Sequence, residues 1–289
     1  MNCRALLSCG LAMLVTLGCD ARLNPRDRFP VGMCDITKPD ELLRLKESGF
    51  DSFQTGTEDR HLLRQMAKEA QRLGMTMLLR PGHPQANEFG SNGNSLILDW
   101  VLSPNKPLET IAATIDKSTG DASRGQALWV ALHLNDGPGR RPTSPQFNEI
   151  RFISYLAIAH GAKGIFYSTK RGGKILLDVP EEFQSIYRVA WELSGLKPVI
   201  ASGRPITLPF NLKDGGPEAI AWRYRFRDYI IILNPRGNAM VKMPEVLLGP
   251  RWRPLFEARR DVHDLLTGAK GAWYLAPYRV IVLESDLKP

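Results

Sequence analysis

The stretch FPVGMCDITKPDELLRLKESGFDSFQTGTEDRHLLRQMAKEAQRLGMTMLLR, residues 29–80, decides the fold class. Its short apolar runs predict three strands, at 30–36, 51–56 and 76–80. Amphipathic patterns between them predict two helices, at 39–48 and 58–73. Short strands that alternate with helices indicate parallel βα units.

The same alternation continues to residue 202. It predicts further strands at 96–102, 127–133 and 164–168, and helices at 107–117, 144–160 and 181–196. A polar stretch between residues 83 and 95 has no periodic pattern and is predicted to be a loop. Six strands fall in about 170 residues, whereas an eight-stranded βα barrel takes roughly 200 to 250. We therefore predict an α/β domain over residues 29–202, a contracted or incomplete (β/α) barrel.

After residue 202 the pattern becomes all-β. Short apolar runs are separated by Gly, Pro, Asn and Asp turns, and they predict strands at 219–227, 229–234, 239–243, 253–256 and 278–284. We expect a small antiparallel β-sandwich over residues 203–289.

A resemblance to a known family rests mainly on residues 142–168. The residues Pro142, Thr143, Ser144, Pro145, Glu149 and Arg151, followed by YLAIAHGAKGIFYS at 155–168, resemble the seventh helix and eighth strand of bacterial glycoside-hydrolase barrels of the β-galactosidase-like group. Further segments that resemble this family are 99–107, 127–132, 192–198, 256–259 and 276–278. The resemblance covers most of residues 29–284 and implies a scaffold for sugar processing.

The chain departs from this family in the segments that hold the family's catalytic carboxylates. There is no Asp-Glu-Pro setting for the usual acid/base glutamate, and the stretch for strands four and five has shrunk to a loop at 82–95, whose one carboxylate is Glu88. Asp136 is the candidate catalytic residue, with Asp35, Asp99 or Glu88 as partner, because hydrolysis needs two facing carboxylates. The alternative for Asp136 is a turn role in Asn-Asp-Gly-Pro.

Ligands of βα barrels contact residues at the carboxyl ends of the strands. The predicted substrate-binding residues at those ends are Asp35, Gln54, Arg80, His83, Asp99, Trp100, His133, Asn135 and Tyr167. Hydrogen-bonding side chains mixed with aromatic rings are typical of ligand sites with polar specificity. The alternative is that these residues only cap a stable scaffold.

No metal, cofactor or nucleic acid is predicted as a ligand. His83, His133 and His160 lack a zinc-binding spacing, and no Walker or Gly-X-Gly-X-X-Gly motif is present. The net charge is +8, but the arginines at 223–227 and 251–260 alternate with apolar residues. Nucleic-acid binding favours a contiguous basic patch. Attraction to an anionic glycan or to lipid headgroups is a minor hypothesis.

The amino-terminal residues are typical of a signal segment. Arg4 precedes an uncharged apolar run from 5 to 18, which stops at Cys19 and is too short for a spanning helix of about 20 apolar residues. Gly18-Cys19 resembles the lipobox of bacterial lipoproteins, with Thr16 where that family usually has Leu. The resemblance implies cleavage after residue 18, acylation of Cys19 and a linker over 19–28. An ordinary secretory signal is the alternative.

The leading hypothesis is an exported lipoprotein that binds or processes a polysaccharide or oligosaccharide. Asp20 hints at the periplasmic face of the inner membrane of a Gram-negative cell, with the membrane contacted through the lipid anchor. Binding is favoured over hydrolysis, because a missing general acid removes a contribution of roughly 10² to 10⁴ in rate. The alternatives are an active glycosidase that uses Asp136, and a non-catalytic structural or assembly protein with protein partners in the envelope.

Overall fold

The computed structural model describes most of the chain after residue 27. The described residues are 28–80, 82–85, 88, 95–101, 108–121, 127–133, 147–168, 170–171, 174–175, 180–208, 217–235, 241–243, 247, 251–256, 266–269 and 272–285. No helix within these ranges is long and apolar enough to cross a membrane.

The first part of the chain alternates strands with helices, as the apolar periodicity predicts. Its sheet consists of β1 (Val31–Cys34), β2 (Ser52–Thr55), β3 (Thr76–Leu79), β4 (Ser95–Val101), β5 (Ala127–His133) and β6 (Ile165–Ser168). Its helices are α1 (Glu41–Glu47), α2 (Arg60–Leu73), α3 (Leu108–Asp121), α4 (Phe147–Ala159) and α5 (Pro180–Ser202). A short hairpin of β7 (Lys170–Arg171) and β8 (Lys174–Ile175) follows β6.

The strand order distinguishes this sheet from a doubly wound one. All six strands are parallel and lie in the order β3-β2-β1-β6-β5-β4, so the first strand pairs with the last. A barrel joins its first and last strands in this way, whereas a classic doubly wound sheet has the order 3-2-1-4-5-6. The curled sheet has β3 and β4 at its two edges. The predicted loop at 83–95 falls between these two strands, and the predicted contracted barrel is confirmed.

The two faces of the sheet bury different side chains because strand residues alternate. One face packs on the helices and includes Val31, Met33 and Tyr167. The other, concave face carries a small apolar cluster, consisting of Cys34, Leu78, Ala127, Trp129, Ala131 and Phe166. A Cβ atom at Gly32 would overlap the Phe166 ring and lie 2.9 Å from the carbonyl oxygen of Ser52, so glycine lets the ring pack directly on the backbone of β1. Aromatic rings therefore fill the lower part of the concave face.

The predicted β-sandwich is also confirmed. Its larger sheet has the order β13-β16-β11-β10-β9, with β9 (Arg204–Pro205), β10 (Glu218–Tyr224), β11 (Arg227–Leu233), β13 (Trp252–Pro254) and β16 (Val280–Ser285). Its smaller sheet has the order β12-β15-β14, with β12 (Val241–Lys242), β14 (Leu266–Ala269) and β15 (Ala272–Leu275). Residues of both sheets share one core, which includes Ile230, Ile281 and Leu275.

Helix α5 is longer than the sequence predicts. The apolar pattern ends it at residue 196, but the helix continues through Pro198 to Ser202. Proline inside a helix removes one backbone hydrogen bond. Leu196, Val199 and Ile200 are all buried in the core, and this burial offsets the loss.

Helices α4 and α5 join the barrel to the larger sheet of the sandwich. Ile231, Leu233, Val280 and Val282 of that sheet belong to the same buried cluster as the helices. A buried ion pair crosses this interface: Arg151 Nε donates to Glu192 Oε2 at 2.7 Å, and its NH1 donates to the carbonyl of Val280 at 2.7 Å. The hydroxyl of Tyr155 also donates to Glu192, at 3.0 Å. The outer face of the larger sandwich sheet therefore belongs to the core of the barrel helices, while its other face packs on the smaller sheet.

His160 forms a second, pH-sensitive link at this interface. Its ring lies 2.8 Å from Asp116 of α3 and 3.1 Å from Glu218 of β10. The hydrogen bond to Glu218, helped by that to Asp116, raises the pKa of His160 above its ordinary value of 6.5. The interactions that raise the pKa stabilise the folded protein. Their contribution is complete below the pKa of His160 in the unfolded chain, and it is lost as the pH rises through the pKa of His160 in the folded protein.

We expect His160→Gln to destabilise the fold more at about pH 6 than at about pH 9, because only the protonated ring contributes. Urea unfolding at both pH values measures the difference. His61→Gln on the exposed surface of α2 is the matched control and should unfold like the unsubstituted chain. An equal loss for His160→Gln at both pH values would contradict the assignment.

Candidate functional site

A polar cluster lies at the carboxyl ends of β1, β2 and β6, on the concave face. Cys34 is aligned with Ser168 of β6, and Met33 with Phe53, which places Gln54 beside Cys34. Cys34, Gln54 and Ser168 are all buried. The described strands thus end on this side in two buried polar side chains, Gln54 and Ser168, beside Cys34 of the apolar layer that includes Trp129 and Phe166.

Asp35 occupies the center of this cluster. It follows β1 in the left-handed backbone region, with φ of 63°, which aspartate tolerates better than most residues. Its buried carboxylate forms an ion pair with the Arg80 guanidinium and accepts a hydrogen bond of 3.3 Å from Ser168 Oγ. The left-handed turn interrupts the strand alternation and brings the carboxylate to the end of the sheet.

Arg80 reaches Asp35 over the backbone of β2. A Cβ atom at Gly56 would lie 2.8 Å from Cδ of Arg80 and 2.9 Å from Nε, so glycine is required for this close approach. The Arg80 side chain remains 48% exposed. A guanidinium carries five N–H donors, and its exposed side is therefore available to a ligand.

His83 has a structural role in the loop beside Arg80. The backbone amide of Gln85 donates to its Nδ1 at 3.2 Å, so Nε2 carries the proton and donates to the Thr57 carbonyl at 2.9 Å. The Gln85 side chain donates to the Glu58 carbonyl at 2.9 Å. His83 and Gln85 thus tie the segment after β3 to the segment after β2.

Tyr167 lies in the core, away from the cluster. Its ring is fully buried against Phe50, with ring centroids 6.4 Å apart, and its hydroxyl lies 2.9 Å from Ser154 Oγ. Burial raises the pKa of this hydroxyl. The neighboring Ser168 points to the concave face instead, and sequence analysis did not single it out. Strand alternation is the signal that separates the two, once the phase of β6 is known.

The other predicted site residues are only partly described. Asp99, Trp100 and His133 lie at the carboxyl ends of the paired strands β4 and β5, where Val101 is aligned with His133. The structure describes their backbone but not their side chains. Asn135 and Asp136 lie outside the described residues, and their roles stay predictions.

Two other described carboxylates near this end, Glu88 and Glu41, have partners of their own. Glu88 pairs with Arg64 at 2.9 Å and lies 3.7 Å from Arg60, both on α2. Glu41 accepts the backbone amide of Lys38 at 3.3 Å, and burial raises its pKa. Among the described residues, no cluster of His, Cys, Asp and Glu could hold a metal ion. The cluster therefore offers one carboxylate, already paired with a cation, together with neutral donors and acceptors.

No family model matches the chain, and no curated protein matches it. Among solved structures, it is similar to the alpha-amylase of Geobacillus thermoleovorans complexed with acarbose, at 15% identity and a TM-score of 0.42, over 86% of this chain and 62% of the amylase. A glycoside hydrolase family 30 subfamily 8 xylanase from Clostridium acetobutylicum has 9% identity and a TM-score of 0.42, over 90% and 96%.

The Thermotoga maritima alpha-fucosidase in complex with a mechanism based inhibitor has 12% identity and a TM-score of 0.43, over 86% of this chain and 78% of that one. The 62% of the amylase that this chain spans is less than two thirds of that protein.

Proposed function

We propose that this protein is an exported, lipid-anchored carbohydrate-binding protein whose contracted barrel holds a sugar chain without hydrolyzing it. One observation carries the proposal: a buried carboxylate, Asp35, is ion-paired with the half-exposed Arg80 at the carboxyl ends of the barrel strands. Ligands of parallel βα folds bind at this end. The export and the anchor at Cys19 rest on the signal segment at residues 1–18.

The chemistry of the cluster suits vicinal hydroxyl groups. A sugar hydroxyl both donates and accepts, so a carboxylate beside a guanidinium can engage two neighboring hydroxyls at once. Ser168 and the turn at Asp35 fix the carboxylate, and Gly56 fixes the path of Arg80. Polar groups that are held in place before the ligand arrives bind with less loss of side-chain entropy.

The same geometry opposes hydrolysis by Asp35. Glycoside cleavage needs two facing carboxyl groups, one of which is protonated. An adjacent guanidinium favors the ionized form of Asp35 and so opposes a role as proton donor. Glu88, which the sequence offers as a candidate partner of Asp136, forms an ion pair with Arg64 of α2.

We expect Asp35→Asn and Arg80→Leu each to lower the affinity for the bound glycan at least tenfold, because a hydrogen bond to a charged group contributes roughly 1.5–3 kcal/mol. Asparagine keeps the shape of aspartate and tolerates the left-handed turn, so Asp35→Asn should preserve the backbone. Screening on a glycan array, followed by titration calorimetry with the best ligand, measures the effect.

Glu88→Gln is the matched control, because it neutralizes a carboxylate that pairs with arginine on the outside of α2. Its affinity should equal that of the unsubstituted chain. Unchanged glycan affinity in a folded Asp35→Asn protein would remove the cluster from the site.

A further inference from the structure

We propose that the hairpin end of the larger sandwich sheet binds anionic phospholipid headgroups, with Phe226 entering the interface and an arginine collar contacting the phosphates. The collar consists of Arg223, Arg225, Arg227, Arg251 and Arg253. This proposal is independent of sugar binding at the Asp35 cluster.

Phe226 forms the apolar tip of this surface. It lies in the turn between β10 and β11, next to Arg225, whose φ is 55°. Its side chain is 76% exposed, more than any other large apolar side chain in the described part of the protein. A phenyl ring in this position contributes nothing to the folded core, so it is free to leave water for an apolar environment without disturbing the fold.

The collar carries more positive charge than the structure neutralizes. Asp228 is shared by Arg223 at 2.6 Å and Arg251 at 3.4 Å. Glu284 is shared by Arg227 at 3.1 Å and Arg253 at 2.8 Å. Arg225 lies over the Tyr224 ring, 5.2 Å from its centroid. Among the described side chains of this region, five arginines therefore surround two carboxylates, so their sum is a net positive charge.

The arginines lie on both sides of the sheet. The register aligns Arg223 with Asp228, and Tyr229 with Glu284, on adjacent rows that point to opposite faces. Arg253 is aligned with Glu284 on the second of these rows. Arginines thus lie on both faces of the sheet, and Phe226 lies between them at the turn. At a membrane surface, aromatic rings enter the boundary between headgroups and acyl chains, while cationic side chains stay at the lipid phosphates, and this arrangement fits that pattern.

The position of the collar in the molecule fits a membrane contact. Arg204, just after α5, is aligned with Arg223. Near its end, α5 contacts the start of β1, because Lys197 binds Asp51 at 2.8 Å and Asp51 accepts the Val31 amide at 3.0 Å. The Arg223 side of the collar thus lies next to the end of α5, which contacts the start of β1.

The predicted anchor enters at the same end. The chain from Cys19 to Arg28 spans at most about 30 Å when fully extended. An acyl chain on Cys19 would hold the start of β1 within that distance of the bilayer.

An anionic lipid surface explains both features of the patch better than an anionic glycan does. Guanidinium groups bind phosphate oxygens in a bidentate manner, and they would also bind the charged groups of a glycan. A phenylalanine has no polar atom for sugar hydroxyls, whereas it gains by leaving water for the acyl boundary. The exposed Phe226 ring therefore favors an anionic lipid surface over an anionic glycan as the ligand.

Vesicle co-sedimentation tests the proposal with the mature chain from residue 19 carrying Cys19→Ser, so that no acyl chain contributes. All described packing lies after this point, since the core begins at Phe29. We expect binding to vesicles of phosphatidylglycerol and phosphatidylcholine, little binding to phosphatidylcholine alone, and loss of binding at high salt.

Phe226→Ser should lower the partition coefficient about tenfold, the factor expected for one buried apolar side chain. Arg225→Asn should lower the partition coefficient several-fold, and asparagine tolerates the positive φ at this position.

Leu43→Ser is the matched control, because Leu43 is an exposed apolar residue of α1 outside the collar. It should bind like the parent, and all variants should melt at the parent temperature. Equal binding to neutral and anionic vesicles, or full binding by Phe226→Ser, would overturn the proposal. Binding to soluble polygalacturonate without binding to vesicles would assign the collar to an anionic glycan and overturn it as well.

Discussion

Replacing Arg151 with methionine is expected to lower the free energy of unfolding by about 3–5 kcal/mol, the usual cost of breaking a buried ion pair from one side. Arg151 and Glu192 are 6% and 7% exposed. Without the guanidinium, the buried Glu192 carboxyl would lose its charged partner, and the Tyr155 hydroxyl would be the hydrogen-bond partner that remains among the described contacts. The carbonyl of Val280 would also lose its donor. Urea unfolding, followed by tryptophan fluorescence, measures the change.

The double variant Arg151→Met with Glu192→Met should recover most of the loss. Replacing both members of a buried pair by apolar side chains is often neutral or stabilizing. Arg64→Met removes an exposed partner of Glu88 and should change stability little. A small loss for Arg151→Met, similar to that for Arg64→Met, would contradict the role of this pair in joining barrel and sandwich.

Replacing Tyr167 with alanine is expected to lower the free energy of unfolding by about 3–5 kcal/mol, as large-to-small aromatic substitutions in cores do. The ring is fully buried among the helices on the outer face of the barrel sheet. Tyr167→Phe removes only the hydrogen bond to Ser154 and should cost about 1 kcal/mol. Thermal unfolding distinguishes the two variants.

The Tyr167→Phe protein also separates a core role from a site role. Its glycan affinity should equal that of the unsubstituted chain, because the hydroxyl does not reach the concave face. A large loss of glycan affinity with unchanged stability would return Tyr167 to the site.

The parallel barrel strands were predictable from the sequence because their signal is local. Each strand is a short apolar run, and each helix shows an apolar stripe with its own start and stop residues. The gap between β3 and β4 was also visible, since the stretch at 83–95 is too short and too polar for two more βα units. The order of the strands then follows from the way a barrel closes.

The phase of strand β6 was not predictable. Ile165, Phe166 and Tyr167 are apolar or aromatic in succession, so no alternation shows which side chains face the helices. The ring of Tyr167 was therefore assigned to the site, whereas its neighbor Ser168 is the residue that lies there. Only the pairing of Cys34 with Ser168 reveals which residue lies on the concave face.

Contacts between distant segments were equally hidden. Nothing near Arg151 in the sequence indicates Glu192 or Val280, because ion pairs of this kind depend on how helices pack. The left-handed turn at Asp35 contains no glycine that would have indicated it in the sequence. The approach of Arg80 over Gly56 likewise joins two loops that are neighbors only in the folded sheet.

The most direct test of the account is titration calorimetry of the mature protein with the best glycan from the array, followed by product analysis of the same sample. We expect heat from binding, no new reducing ends after long incubation, and loss of the heat in Asp35→Asn. Release of reducing sugar that disappears in Asp136→Asn but persists in Asp35→Asn would contradict the account and identify an active glycosidase.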